Sequence, residues 1–234
     1  FEFRWRDERH QRLWDLSFFG GSLAAAMAQG MILGALLQGI TVEGRAYAGS
    51  WFDWLTPYTL LTGLGTVAGY ALLGSTWLII KTEGKGLDRA YRMARPAFFA
   101  TLGLMAAVSL YTPFLKANYF DRWFTYPSII FSALVPFLTA IIVFALLRAL
   151  VKRSTHWPFL LSLALFLLGM AGLGVSMWPN IVPPDITIWD AAAPERSQIF
   201  MLAGTAIIMP IILIYTGFAY WVFRGKTGTE GYHA

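Results

Sequence analysis

Beyond Leu16 the chain alternates between long runs with no charged side chain and short segments that hold almost all of its charge. The uncharged runs fall at 16–40, 57–80, 96–115, 127–147, 157–177 and 197–223. About twenty apolar residues in a helix cross the hydrocarbon layer of a bilayer, and each run is that long or longer. Ser197 to Phe223 is the clearest case, framed by Arg196 before it and by Arg224 and Lys226 after it. The pattern predicts an all-α integral membrane protein in which residues 1–234 form one six-transmembrane-helix bundle. A helix start within Phe1 to Asp15 is expected to run into the first span, with Glu8 and Arg12 spaced as a helix pair.

Composition sharpens this reading. Hydrophobic residues make up 57% of the chain and charged ones only 13%, with a mean hydropathy of +0.56. A soluble domain carries about 25% charged residues. The net charge of +5 would suggest a nucleic-acid partner in a soluble chain. Here the basic residues lie between spans, so no nucleic-acid partner is inferred. Counted by alternate segments, Lys and Arg number fourteen on one side and four on the other, which accounts for all 18. Positive charge is retained on the cytoplasmic side, so both ends of the sequence are expected there. All ten tryptophans fall at or near a predicted boundary, where amphipathic indoles favour the headgroup level.

Candidate chemistry is sparse. The absence of cysteine excludes disulfides, thiolate metal sites and cysteine nucleophiles. His10, His156 and His233 lie outside the spans, whereas a membrane haem needs axial ligands projecting into the bundle. The chain is therefore expected to hold no haem and no metal. No charged group sits within a span, which argues against a proton relay or ion path built from these helices alone. Two amides remain, Gln29 and Gln38. Either they bond neighbouring helices, or they meet a quinone carbonyl or a bound water. Small residues form a stripe at Ala26, Gly30 and Gly34 and a GxxxG at Gly65 and Gly69, so close helix packing is expected at these glycines. Lys81, Thr82 and Glu83 should form a solvated helix end, with Lys81 against the dipole of its own helix. Asp185, Asp190 and Glu195 fall in the loop before the last span, where Asp190 looks like the N-cap of a helix over Ala191 to Ala193.

Four segments carry a family resemblance: FEFR (Phe1 to Arg4), GSTWLIIKTEG (Gly74 to Gly84), MWPNIVPPDITIWDAAAP (Met177 to Pro194) and PIILIYTGFAYWVFRGK (Pro210 to Lys226). Together they resemble the C-terminal part of subunit II of bacterial cytochrome bd-type quinol oxidases, a group that includes the cyanide-insensitive branch. The resemblance implies an eight-helix subunit of which the first two helices precede Phe1. It further implies a larger partner, subunit I, that carries haems b and d and oxidises quinol. Subunit II then has a structural role beside lipid and the quinone pool, in some members with a bound quinone. This chain would be a haem-free, non-catalytic subunit of a membrane quinol:oxygen oxidoreductase serving aerobic respiration in the bacterial inner membrane. Trp77, Lys81, Thr82, Glu83, Trp189 and Asp190 match motif positions without an implied chemical role, and no catalytic residue is carried over. The alternative from the residues alone is a small stand-alone transporter or permease.

Overall fold

A computed structural model describes residues 10–44, 46–126, 128–184 and 186–226. FEFR, Asp185 and His233 lie outside the described residues. Within helices, the side chains of 117, 118, 121, 122, 128, 130 and 131 are likewise not described.

Six helices are long and apolar enough to cross a membrane. They are α1 (Gln11–Gln38), α2 (Pro57–Lys81), α3 (Gly84–Tyr111), α5 (Ser128–Val151), α6 (Trp157–Met177) and α8 (Glu195–Val222). Between them lie a short hairpin of β1 (Val42–Glu43) and β2 (Ala46–Tyr47), a 3₁₀ turn (Thr112–Phe114) leading into α4 (Ala117–Phe124), and a second hairpin of β3 (Asn180–Val182) and β4 (Ile186–Thr187) leading into α7 (Ile188–Ala191). Both hairpins are antiparallel. The chain is thus an all-α multi-pass membrane bundle, as the hydropathy pattern predicts.

Local chemistry sets the helix ends. Thr56 and Thr59 form a reciprocal capping box, with Pro57 in the first turn where no amide hydrogen is required. One boundary departs from the sequence reading. The basic stretch 81–95 is expected to separate two spans, yet α3 already begins at Gly84. Gly84 has φ +55, which lets the chain reverse within three residues of Lys81. The stretch is amphipathic: Lys85, Arg89, Arg92 and Arg95 are exposed, while Ala90, Tyr91, Ala94 and Phe98 are buried.

The core gathers where α2, α3, α5 and α6 converge. Leu72, Ile79, Ala90, Tyr91, Ala94, Phe98, Leu146, Leu150 and Leu165 form one buried cluster. A smaller one, at the other end of α2, joins Leu37, Tyr58 and Tyr119. The Tyr119 hydroxyl donates to the Leu37 carbonyl at 2.7 Å, and Tyr58 shares a hydrogen bond with Thr112 at 2.9 Å. Helix α8 is different, since none of its residues is buried.

Contacts between loops sort the segments onto two faces. On the basic face, Arg153 bridges Asp88 at 2.8 Å, and the Tyr91 hydroxyl donates to the Ser154 carbonyl at 3.0 Å. These bonds tie the start of α3 to the α5–α6 turn. On the opposite face, α4 reaches the end of α1 through Tyr119 and the end of α6 through Trp123, whose indole donates to Ser176 at 3.3 Å.

Candidate functional site

The residues singled out in the sequence fall mainly in four places: the α1–α2 seam, a cavity among the helices, the junction of α2 with the last helix, and the loop before that helix.

The seam holds the small-residue stripe. Ala26, Gly30, Gly34 and Leu37 are the buried residues of α1 and recur on one face. A methyl group on Gly30 would sit 2.5 Å from the Thr62 carbonyl oxygen and 2.7 Å from Gly63 Cα. One on Gly34 would sit 3.0 Å from Thr59 Cα. Backbone meets backbone here, and only glycine fits. The partner surface on α2 (Thr59, Thr62, Gly63 and Thr66) escaped the sequence reading, which turned to the Gly65–Gly69 spacing one turn away. Close packing at those two glycines is corrected by the structure. A methyl on Gly65 would meet only Leu104 Cβ, at 3.8 Å, and one on Gly69 only the Phe166 ring, at 3.6 Å. They face a cavity instead of a neighbouring backbone.

Both amides bond across helices. The Tyr70 hydroxyl donates to Gln29 Oε1 at 2.8 Å, joining α2 to α1. The Thr56 hydroxyl donates to Gln38 Oε1 at 2.8 Å and fixes the entry to α2. Neither glutamine lines the cavity.

The cavity has a volume of about 840 Å³ and is walled by α1, α2, α3, α5 and α6, with Gly65, Gly69, Leu102, Met105, Val143 and Phe166 among its lining. Of its nine hydroxyl-bearing wall residues, five donate within their own helices, and Ser132 donates across to the Trp123 carbonyl of α4 at 3.0 Å. Thr62 donates to the Thr59 carbonyl, Thr66 to Thr62, Thr101 to Ala97, Ser162 to Pro158 and Ser176 to Gly172, all at 2.7–3.0 Å.

At the junction, the motif residues Trp77, Lys81 and Glu83 meet the end of α8. The Lys81 ammonium donates to the Phe223 carbonyl at 2.5 Å and lies 5.3 Å from the centre of the Trp77 ring. Trp77 meets Tyr220 edge-on at 5.9 Å, and Lys226 pairs with Glu83 at 3.3 Å. The accessible helix end expected at 81–83 is found, with Lys81 in the last turn of α2 and Glu83 exposed, and Lys81 in addition serves a second helix. Thr82 caps its own helix, its hydroxyl donating to the Leu78 carbonyl at 2.7 Å.

In the loop before α8 the expectation for Asp190 also changes. Thr187, not Asp190, is the N-cap, and it caps Ile188–Ala191. The Asp190 carboxylate accepts from the Thr187 hydroxyl at 2.5 Å and from the Thr187 amide at 3.2 Å, closing a capping box. Those bonds hold its pKa below the ordinary 3.8. That helix ends at Ala191 and does not continue over Ala192 and Ala193, because the residue before Pro194 is pushed to extended backbone. Trp189 meets Trp178 edge-on at 5.7 Å, which folds this loop against the end of α6.

Among the described residues, no group of three or more His, Cys, Asp or Glu gathers as a metal site. His10 and His156 stand before the first turns of α1 and α6, both exposed.

The model of the cytochrome bd terminal oxidase subunit II family matches residues 1–223, and the chain belongs to that family. Relatives include the cytochrome bd-I ubiquinol oxidase subunit 2 of Escherichia coli (strain K12), 26% identical over 98% of this chain and 68% of that one. The probable cytochrome oxidase subunit 2 of Haemophilus influenzae is 26% identical over 92% of this chain and 65% of its own length. The cytochrome bd ubiquinol oxidase subunit 2 of Bacillus subtilis is 22% identical over 97% and 68%. The transporter reading gains no support from these matches.

Proposed function

We propose that this chain is the haem-free accessory subunit of a membrane quinol:oxygen oxidoreductase, seated beside a larger subunit that holds haems b and d and oxidises quinol. The family match over residues 1–223 carries this reading. What supports the reading in the chain's own chemistry is that its two described histidines sit at exposed helix starts and that Gln29 and Gln38 bond neighbouring helices. The basic face, with Lys85, Arg89 and Arg153, lies toward the cytoplasm by the bias in Lys and Arg. The cavity lined by Gly65 and Gly69 takes the hydrocarbon chain of a lipid or the isoprenoid tail of a quinone. Its mostly apolar lining suits a hydrocarbon chain better than a polar ring.

The test is purification of the full-length protein from native membranes through a tag on this chain. A larger membrane protein with the absorption band of haem d should accompany it, together with quinol-dependent oxygen uptake. Recovery of the chain as a haem-free assembly would overturn the proposal.

A further inference from the structure

Helix α8 is apolar around its whole circumference and buries none of its residues. Among the described residues, every hydrogen bond, ion pair and ring contact that ties it to another helix lies at its C-terminal end. Those ties converge on one short segment of α2. The last carbonyls of a helix have no partner within it and carry the negative end of the helix dipole. In α8 the Phe223 carbonyl, at the C-cap, accepts from the Lys81 ammonium at 2.5 Å, and the Gly225 carbonyl accepts from the same ammonium at 3.4 Å. The lysine belongs to a helix more than a hundred residues earlier. Its position is set from below by the Trp77 ring, which also abuts Tyr220, and Lys226 returns to Glu83 beyond it.

We propose that Trp77 and Lys81 form a latch in which Lys81 caps the last membrane helix from outside that helix, and that this latch holds α8 against the bundle, the exposed Glu83–Lys226 pair lying beside it without being needed for it. Motif residues to which the family resemblance assigns no chemical role would then have a mechanical one: they fix the position and tilt of the span that offers the most uncovered apolar surface. Arginine should substitute in part, since it keeps the charge and the donors. Methionine should not, since it keeps only the length. The proposal does not depend on the oxidase reading, because its readout is the distance between two segments of this chain.

The chain has no cysteine, so introduced pairs report without background. In the full-length protein in native membranes, Glu83→Cys with Lys226→Cys places thiols at the outer edge of the latch. Gln38→Cys with Thr56→Cys is the control at the opposite face, where those side chains are 2.8 Å apart. With Lys81 present, a short bismaleimide should join both pairs. Adding Lys81→Met should lower the yield at 83–226 by roughly tenfold, in line with loss of a charge-assisted bond, and leave 38–56 unchanged. Lys81→Arg should restore most of the 83–226 yield. Unchanged 83–226 cross-linking with Lys81→Met would overturn the latch. So would an equal fall at both pairs, because the lysine would then support the whole fold and not this joint.

Discussion

At the scale of single residues, two pairs of glycines with the same spacing behave differently, and the difference lies in what stands opposite them. Gly30 and Gly34 face the backbone of α2, with Thr62 O and Gly63 Cα inside the space a methyl group would need. Gly65 and Gly69 face side chains at ordinary contact distance and an open cavity. Gly34→Ala is therefore expected to destabilise the bundle by about 1–3 kcal/mol through overpacking. Gly65→Ala should change stability by no more than about 0.5–1 kcal/mol, with a gain favoured by its better helix propensity. Unfolding of the two variants in matched detergent micelles decides it, and equal losses would refute the assignment. The stripe on α1 was legible because Ala26, Gly30 and Gly34 repeat every four residues. The surface that receives it was not, because Thr59, Thr62 and Thr66 join only one glycine, Gly63, and a threonine reveals nothing in sequence about whether its hydroxyl is bonded back to its own helix.

At the scale of elements, the sequence located all six spans but misjudged where charge permits a helix to continue. Counting Lys81 to Arg95 as a connecting segment treated charge as a boundary, whereas α3 carries the charge on its outer face and keeps Ala90, Tyr91 and Ala94 inward. The 3.6-residue alternation was present and was masked by the density of basic residues. The Asp190 capping box was half legible, since acidic residues near helix starts suggest caps, but the hairpin that brings Thr187 to the cap position was not predicted. Its consequence can be measured. The folded pKa of Asp190 lies below its ordinary 3.8 because the Thr187 hydroxyl and amide donate to the carboxylate. The turn is thus stabilised above pH 3.8, and the gain is lost as pH falls through the lower, folded value. Thr187→Ala should raise the Asp190 midpoint toward 3.8 in a carboxyl-carbon NMR titration. A midpoint at or above 3.8 in the unmodified protein would contradict the capping box.

At the scale of the whole molecule, the two loop faces are each knitted together by short polar contacts, while the layer between them is apolar. The cavity lies among helices of that layer, lined by the middle of α2 at Gly65 and Gly69 and by residues of α1, α3, α5 and α6. Interiors are normally packed as densely as organic crystals, and a gap in the packing forfeits dispersion contacts along its lining. Water finds few partners there, because the lining is mostly apolar and six of its nine hydroxyls already donate to a carbonyl one turn back along the chain. A hydrocarbon chain drawn from the surrounding bilayer meets both conditions, since it restores contacts and asks for no hydrogen bond. Gly65→Leu and Gly69→Leu extend side chains into that volume without a backbone in the way. Each should lower the amount of acyl or prenyl chain that co-purifies per protein by severalfold, as measured by mass spectrometry of the extracted lipid, while the protein remains folded. Gly30→Leu, directed at the Thr62 carbonyl, should instead disrupt the α1–α2 seam. Folded Gly65→Leu and Gly69→Leu proteins that retain the full complement of bound chain would show that the cavity is not where that chain resides.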